Sequence, residues 1–211
     1  MLRSLPALSG TAPSFDPEAV PDDPLELFAD WFTTAVRSGV PEPHAATLAT
    51  ADVAGQPSSR VLVLKDVSTD GFAFATDSRS AKVADLEVNP QAALGFWWQP
   101  LVRQVRVVGS ARYLGEDASA QDYLARSPAS RAAAAGVRPG RELASVTDLR
   151  DAVARSRARI DGDPAFVLGT WQAWLVVPDV MEFWQGSSDR AHVRVVYRST
   201  GDGWSRSLVW P

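Results

Sequence analysis

The feature that most restricts the fold is a change of hydrophobic period along the chain. Around Asp23-Pro24-Leu25-Glu26, apolar residues recur at helical spacing; from His44 onward they alternate at the spacing of strands. The first stretch offers Asp23 as N-cap, a proline at the first helical position and an acid at the capping-box position. Leu27, Phe28, Trp31, Phe32, Ala35 and Val36 then share one face, which predicts an amphipathic helix ending near Gly39. Beyond it, 44–51 and 57–66 read as strands joined by turn chemistry at 52–55, and 71–76 reads as a third. Residues 78–88 have helical spacing and stop at Asn89-Pro90, after which 92–98 and 102–114 are again strands.

Helical spacing returns at 116–126, 129–135 and 147–160. Four short strands follow at 170–177, 180–185, 193–198 and 204–210, with turns expected at Pro178-Asp179, at 186–189 and at 201–203. Strands on both sides of a helical insertion, without βαβ alternation, predict a mainly β fold: an antiparallel barrel, closed or split, with helices packed outside. The expected organisation is one domain over 23–211, with its helical insertion at about 116–161. Residues 1–22, with Pro6, Pro13, Pro17 and Pro21, read as a flexible arm that orders against a partner.

Composition narrows the function classes. A chain of 211 residues with 45% apolar and 22% charged residues buries a real core. Its net charge of −4 disfavours a non-specific nucleic-acid binder. There is no cysteine, which removes disulfides, thiolate metal sites and thiol nucleophiles and suits a reducing cytoplasm. No apolar run reaches the roughly 20 residues of a bilayer span, so no membrane partner is expected. With only His44 and His192, a histidine-rich metal centre cannot be built, and dinucleotide, P-loop and serine-elbow motifs are missing. Redox chemistry in such a chain requires a cofactor.

Cations set within apolar strands are the chemical signal, because an unpaired charge there is costly. Arg60 and Lys65 close the two ends of an apolar run and, five positions apart, face opposite sides; snorkelling to solvent explains them equally well. Thr76-Asp-Ser-Arg79-Ser-Ala-Lys82 lies where a strand feeds a helix, a place for an anion such as phosphate, although plain helix capping accounts for it too. Gln104 and Arg106 share a strand face that solvent alone would satisfy. Arg190, His192 and Arg194, at period two after a turn, are expected on one strand face as a row that faces a ligand. These residues alone lead to an anion-binding β-barrel.

The order and spacing of Arg60-Val-Leu-Val-Leu-Lys65, Asn89-Pro90, Arg103-Gln104-Val and Glu182-Phe-Trp184-Gln-Gly with Arg190-x-His192-x-Arg194 resemble the pyridoxine (pyridoxamine) 5′-phosphate oxidase family. The resemblance covers roughly nine-tenths of the chain and implies an FMN-binding split β-barrel, antiparallel and Greek-key-like, that works as a homodimer with FMN at the subunit interface. It further implies that Arg60, Val61, Leu62, Val63, Leu64 and Lys65 line the flavin, and that Ala75, Thr76, Arg79 and Lys82 lie at its phosphate end. Gln104, Trp184 and Arg194 would complete the cofactor site. Arg190 and His192 would be the catalytic, substrate-side pair, and Lys65, Tyr123 and Arg131 would contact a small aromatic substrate. The implied reaction is hydride transfer from the substrate's C4′ carbon to flavin N5, followed by reoxidation by oxygen to hydrogen peroxide.

Departures from the family pattern bear on the substrate. Ala81-Lys82 stands where Arg-Lys is usual, with Arg79 as a candidate replacement. Ser127 replaces an arginine of the substrate-phosphate clamp, and Arg131 falls near its serine. The tail reads Leu208-Val-Trp-Pro211 in place of Arg-Leu-x-Pro. The segments at 9–15 and 39–44 are more similar to the flavin oxidases of phenazine biosynthesis, whereas Lys65 is similar to the vitamin oxidases. Three functions follow: oxidation of pyridoxine/pyridoxamine 5′-phosphate, oxidation of a phenazine-type intermediate, or non-catalytic flavin binding.

Overall fold

The computed structural model describes residues 4–211. Helix α1 (Pro24–Arg37) forms where its capping signals place it: the Asp23 carboxylate accepts from the Leu25 N–H at 2.8 Å. Its apolar face buries Leu27, Phe28, Trp31 and Ala35. The strands are β1 (Ala45–Ala51), β2 (Pro57–Val63), β3 (Asp66–Ser68), β4 (Gly71–Asp77), β5 (Gln91–Trp98), β6 (Arg103–Tyr113), β7 (Trp171–Gln185), β8 (Val193–Ser199) and β9 (Trp204–Leu208). Helix α2 (Ala81–Val88) follows β4, while α3 (Glu116–Ala125), α4 (Pro128–Gly136) and α5 (Val146–Gly162) form the helical insertion between β6 and β7.

Neighbouring strands run in the order β2-β1-β5-β6-β7-β4-β3, every pair antiparallel, and β8 and β9 continue outward from β7. The two ends of this order are one piece of chain. The Leu64 N–H bonds to the His44 carbonyl at 3.0 Å, extending the β1–β2 pair, and the next N–H, of Lys65, bonds to Ala73 on β4 at 2.8 Å. The sheet therefore curls into a barrel. Strand β7 is shared: residues 171–177 run beside β4, and residues 180–185 run beside β8.

The turn expected at Pro178-Asp179 is not formed. Strand β7 runs through these residues, and the β6–β7 register jumps from Val108↔Val180 to Gly109↔Pro178, leaving Asp179 as the extra residue of a bulge. Proline lacks the N–H that a regular ladder uses, so a bulge tolerates it. Gly109 makes the bulge possible, since a Cβ there would collide with the Val177 carbonyl oxygen. The short strand β3, not anticipated from its sequence, exists through pairing with β4.

The core is aromatic where α1 meets the sheet. Phe28 packs on Phe72, Phe96 and Trp98 with ring centroids 4.9, 5.1 and 5.9 Å apart. Among the described residues, 4–22 form no strand or long helix and are fastened along the barrel. Thr11 N–H bonds to the Pro100 carbonyl, Phe15 sits edge-on to Trp31 at 5.1 Å, and the Tyr197 hydroxyl and the Arg206 guanidinium donate to the Pro21 and Val20 carbonyls. Residues 1–3 lie outside the described residues.

Because Gly109 faces backbone and not a movable side chain, Gly109→Val is expected to lower the unfolding free energy by about 3 kcal/mol, read from the urea midpoint at unchanged slope.

Candidate active site

Pleating gives the barrel an outer face opposite its apolar interior. One row of cross-strand neighbours on that face is Trp97, Gln104, Trp184 and Arg194, from β5, β6, β7 and β8. The next row holds Gly95, Arg106 and Glu182, so a residue without a side chain sits beside the cations. Glu182 lies between two arginines, 3.4 Å from Arg106 and 3.6 Å from Arg194. The second distance is too long for a hydrogen bond, so Arg194 Nε is ion-paired with Glu182 but buried without a hydrogen-bond partner.

The turn before β8 carries the two substrate-side candidates. Arg190, His192 and Arg194 do not form the expected row: β8 begins at Val193, so only Arg194 belongs to it. The Asp189 carboxylate accepts from the Ser187 hydroxyl and the Ala191 N–H, which curls the chain, and Arg190 takes a left-handed φ of 69°. The hydrogen bond from Ser187 holds the Asp189 carboxyl below its ordinary range. His192 Nδ1 accepts the Ser187 N–H at 3.0 Å, so in the neutral ring the proton resides on Nε2. The imidazole packs 5.0 Å from the Trp184 ring.

A second constellation gathers where β4 meets α2. Lys82 Nζ donates to Thr76 Oγ1 at 2.9 Å, and Thr76 lies 3.5 Å from Ser80 Oγ. Ser80 is the N-cap residue of α2, but its side chain makes no capping bond, so the helix N-terminus keeps donors for another acceptor. Arg60 reaches the same region from β2, donating to Thr50 at 2.7 Å and Ser58 at 2.6 Å; both hydroxyls also bond Asp85. Burial first, and then the Arg60 charge, push the Lys82 ammonium below its ordinary range, against the pull of Asp77. Burial likewise lowers Arg60. Asp85 stands 4.0 Å from Arg60 and offsets part of its charge, whereas Lys82 makes no ion pair among the described residues; with the uncapped helix end beside them, the two cations suit an anion.

Other candidates are placed elsewhere. Arg79 is clamped by Asp77, at 2.9 and 2.5 Å, and by the Val137 carbonyl at 3.1 Å, so it does not join Arg60 and Lys82. Burial alone would raise the Asp77 carboxyl, but bonds from Arg79 and Thr170 outweigh it and hold the group low. On β2, Val61 is 70% exposed and Val63 is exposed, while Leu62 is half-buried and Leu64 buried; Ala75 is half-buried on β4. Lys65 lines a cleft of about 810 Å³ between α1 and the β2–β3 bend, with Phe28, Phe32, His44 and Val67. Leu64 lines the same cleft; the other candidates lie outside it.

Residues 32–159 match the family described as "Pyridoxamine 5'-phosphate oxidase", and residues 171–211 match "Pyridoxine 5'-phosphate oxidase C-terminal dimerisation region". The chain belongs to the pyridoxamine 5′-phosphate oxidase family. It is an FMN-dependent oxidoreductase of that family. Among its relatives, the pyridoxine/pyridoxamine 5′-phosphate oxidase of Thermosynechococcus vestitus is 38% identical over 190 residues, covering 90% of each chain. That of Rubrobacter xylanophilus is 37% identical over 90% of this chain and 87% of its own. Among solved structures, PhzG of Burkholderia lata 383, in complex with tetrahydrophenazine-1-carboxylic acid, superposes with a TM-score of 0.88 at 29% identity, over 96% of this chain and 100% of PhzG. An FMN-binding protein of Nostoc punctiforme related to pyridoxamine 5′-phosphate oxidase shares the split-barrel fold, with a TM-score of 0.74 at 20% identity over 92% of this chain and 99% of its own.

Tyr123 and Arg131, expected to contact the substrate, are both engaged within the protein. Tyr123 is 0% exposed, its hydroxyl donates to the Arg131 carbonyl at 3.0 Å, and burial raises its pKa. Arg131 is buried too, with its Nη2 donating to the Pro164 and Phe166 carbonyls and its Nε left without a hydrogen-bond partner. Ser127, in the place of the clamp arginine, caps α4 by accepting from Ser130 N–H. These side chains tie the helical insertion together. Sequence reading missed Ser80 and the Thr50–Ser58–Asp85 set, which only strand register assembles; the unit between Asp77 and Lys82 was the one available signal. Among the described residues no cluster of three or more potential ligands could hold a metal, and no helix is long and apolar enough to cross a membrane.

With its folded pKa below the unfolded one, Lys82 binds fewer protons in the folded state. Its contribution is unfavourable below the folded pKa and is relieved as pH rises towards the ordinary lysine range. Lys82→Met is therefore expected to raise the denaturation midpoint of the flavin-free protein at neutral pH, with the gain shrinking as pH rises; unchanged midpoints across that range would refute it.

Proposed function

We propose that this protein is an FMN-dependent oxidase of a small aromatic substrate, built as a homodimer with the cofactor between protomers. The observation that carries the reading is the meeting of Arg60, Thr76, Ser80 and Lys82 at the uncapped start of α2, a site with the charge and donors to hold a phosphate group. Arg194 Nε, ion-paired with Glu182 but without a hydrogen-bond acceptor, in a row with Gln104 and Trp184, fits a further cofactor acceptor on the outer face. When bound, FMN supplies the two-electron chemistry that no side chain here provides. Arg60 and Lys82 bind its anionic end, and their mutual repulsion is relieved by that charge. Val61 and Val63 offer apolar surface, and exposed Trp97 with residues 171–211 belongs to the face that a second protomer covers.

His192 presents a donor at Nε2 towards the substrate side, its ring held by Ser187 and Trp184, and exposed Arg190 supplies a positive charge to orient an acidic group. For the substrate, relatives 38% identical favour pyridoxine or pyridoxamine 5′-phosphate. A specific observation favours the second reading. With Tyr123 and Arg131 buried and Ser127 spent on a helix cap, Lys65 alone remains of the substrate-phosphate contacts. A reduced, phenazine-type carboxylic acid needs no phosphate clamp, and this is the substrate class we favour. The role of a non-catalytic flavin carrier leaves His192 and Arg190 without a purpose.

Anaerobic addition of a dihydrophenazine carboxylic acid is expected to bleach the flavin absorption bands, whereas pyridoxine 5′-phosphate leaves them intact. The converse result returns the assignment to the vitamin oxidase, and bleaching by neither supports a carrier. Lys82→Met is expected to weaken FMN binding by at least about tenfold, the size of one lost charge-assisted bond, measured by fluorescence titration of the flavin.

A further inference from the structure

Arg103 is a buried charge that the proposed function leaves unused. It opens β6, is 4% exposed, and takes part in no ion pair among the described residues. Its guanidinium lies 4.1 Å over the Trp31 ring, and its Nε–H donates to Gln185 Oε1 at 2.8 Å. Desolvation lowers its pKa to about 10, so the group is still charged at neutral pH.

Gln185 is buried as well and turns its amide nitrogen to the carbonyls of Leu101, Val102 and Gly186, at 3.3, 3.5 and 3.2 Å. Gly186 N–H returns a bond to Val102 O at 2.9 Å. Val102, a β-branched residue, is held at φ 51°, a left-handed conformation that costs about 1–3 kcal/mol and persists only where its surroundings enforce it. Gly186 has no room for a side chain, since a Cβ would strike the Val102 side chain and the Trp184 ring. This joint stands at the base of the turn that carries His192, directly after Trp184, on which the imidazole packs. A buried charge without a counter-ion is a poor source of stability compared with an apolar pair of the same volume. What Arg103 does that an apolar residue cannot do is fix the orientation of Gln185.

We propose that Arg103 is a positioning residue: through Gln185 it sets the base of the 186–192 turn and so holds His192 against Trp184. The catalytic part of His192 rests on the function proposed above; its placement by Arg103 does not.

The chain has two histidines, so the imidazole region of a carbon–proton NMR spectrum of the FMN-loaded protein reports on His192 almost alone, with His44 as internal control and His192→Asn as the assignment. Arg103→Met, Arg103→Lys, Gln185→Met and the Arg103→Met/Gln185→Met pair are compared. In each, the His192 signal is expected to move or split while His44 stays, because lysine keeps the charge but not the Nε–H. Turnover is expected to fall about tenfold, equivalent to one lost positioning contact, with KM changed less than about twofold, and the double variant no worse than either single. An unmoved His192 signal in Arg103→Met and in Gln185→Met, or turnover losses that multiply in the double, overturns the proposal. Should Arg103→Met fail to fold, Gln185→Met alone decides by the same two readings. Unchanged turnover in His192→Asn would remove the catalytic reading of His192 and leave the NMR result standing.

Discussion

Two consecutive backbone N–H groups determine the shape of the molecule. Leu64 bonds to His44 at the start of β1 and Lys65 to β4, strands that lie next to opposite ends of the sheet order, so a strand that begins as the partner of β1 finishes beside β4. No side chain has to be special for this, because unpaired backbone groups of a strand demand partners and a twisted sheet brings its own far edge within reach. The closure carries β2 past the start of α2. Arg60 on the one and Lys82 on the other are distant in sequence, and the barrel makes them neighbours.

That neighbourhood is unfavourable to the protein by itself. Burial and like charge act together on Lys82, and the local hydroxyls of Thr76, Ser58 and Thr50 reduce the penalty without removing it. Asp77, the nearest carboxylate on β4, is occupied by Arg79 and Thr170. The arrangement separates two kinds of arginine: Arg79, held at short range by Asp77 to brace the β4–α2 corner against Val137, and Arg60, whose nearest carboxylate, Asp85, stands off at 4.0 Å. Functional sites commonly carry such local conflicts with stability, and here the conflict points at an anion.

Local chemistry made much of this readable from the sequence. The cap and apolar face of α1 and the β1–β2 hairpin are encoded within a few residues of themselves, and so is the helical insertion. Features that depend on distant partners were not readable. Pro178-Asp179 has the composition of a turn, and only the opposing Gly109 makes it a bulge in a continuous strand. Period two suggested a row at Arg190, His192 and Arg194, but the Asp189 carboxylate captures two local donors and breaks the alternation. Tyr123 and Arg131 were singled out by family resemblance, and their burial follows from the packing of α3 and α4 against residues 164–166, which no local pattern reveals.

The crowded cations at the start of α2 have a consequence for the protein's life in the cell. A ligand that binds only the folded form draws the folding equilibrium towards it, in proportion to how far its concentration exceeds its dissociation constant. When that ligand also cancels a repulsion built into the fold, the empty chain opens more often and spends longer within reach of proteases. On the function proposed above, the resistance of this chain to unfolding would rise with the supply of the cofactor that fills this site.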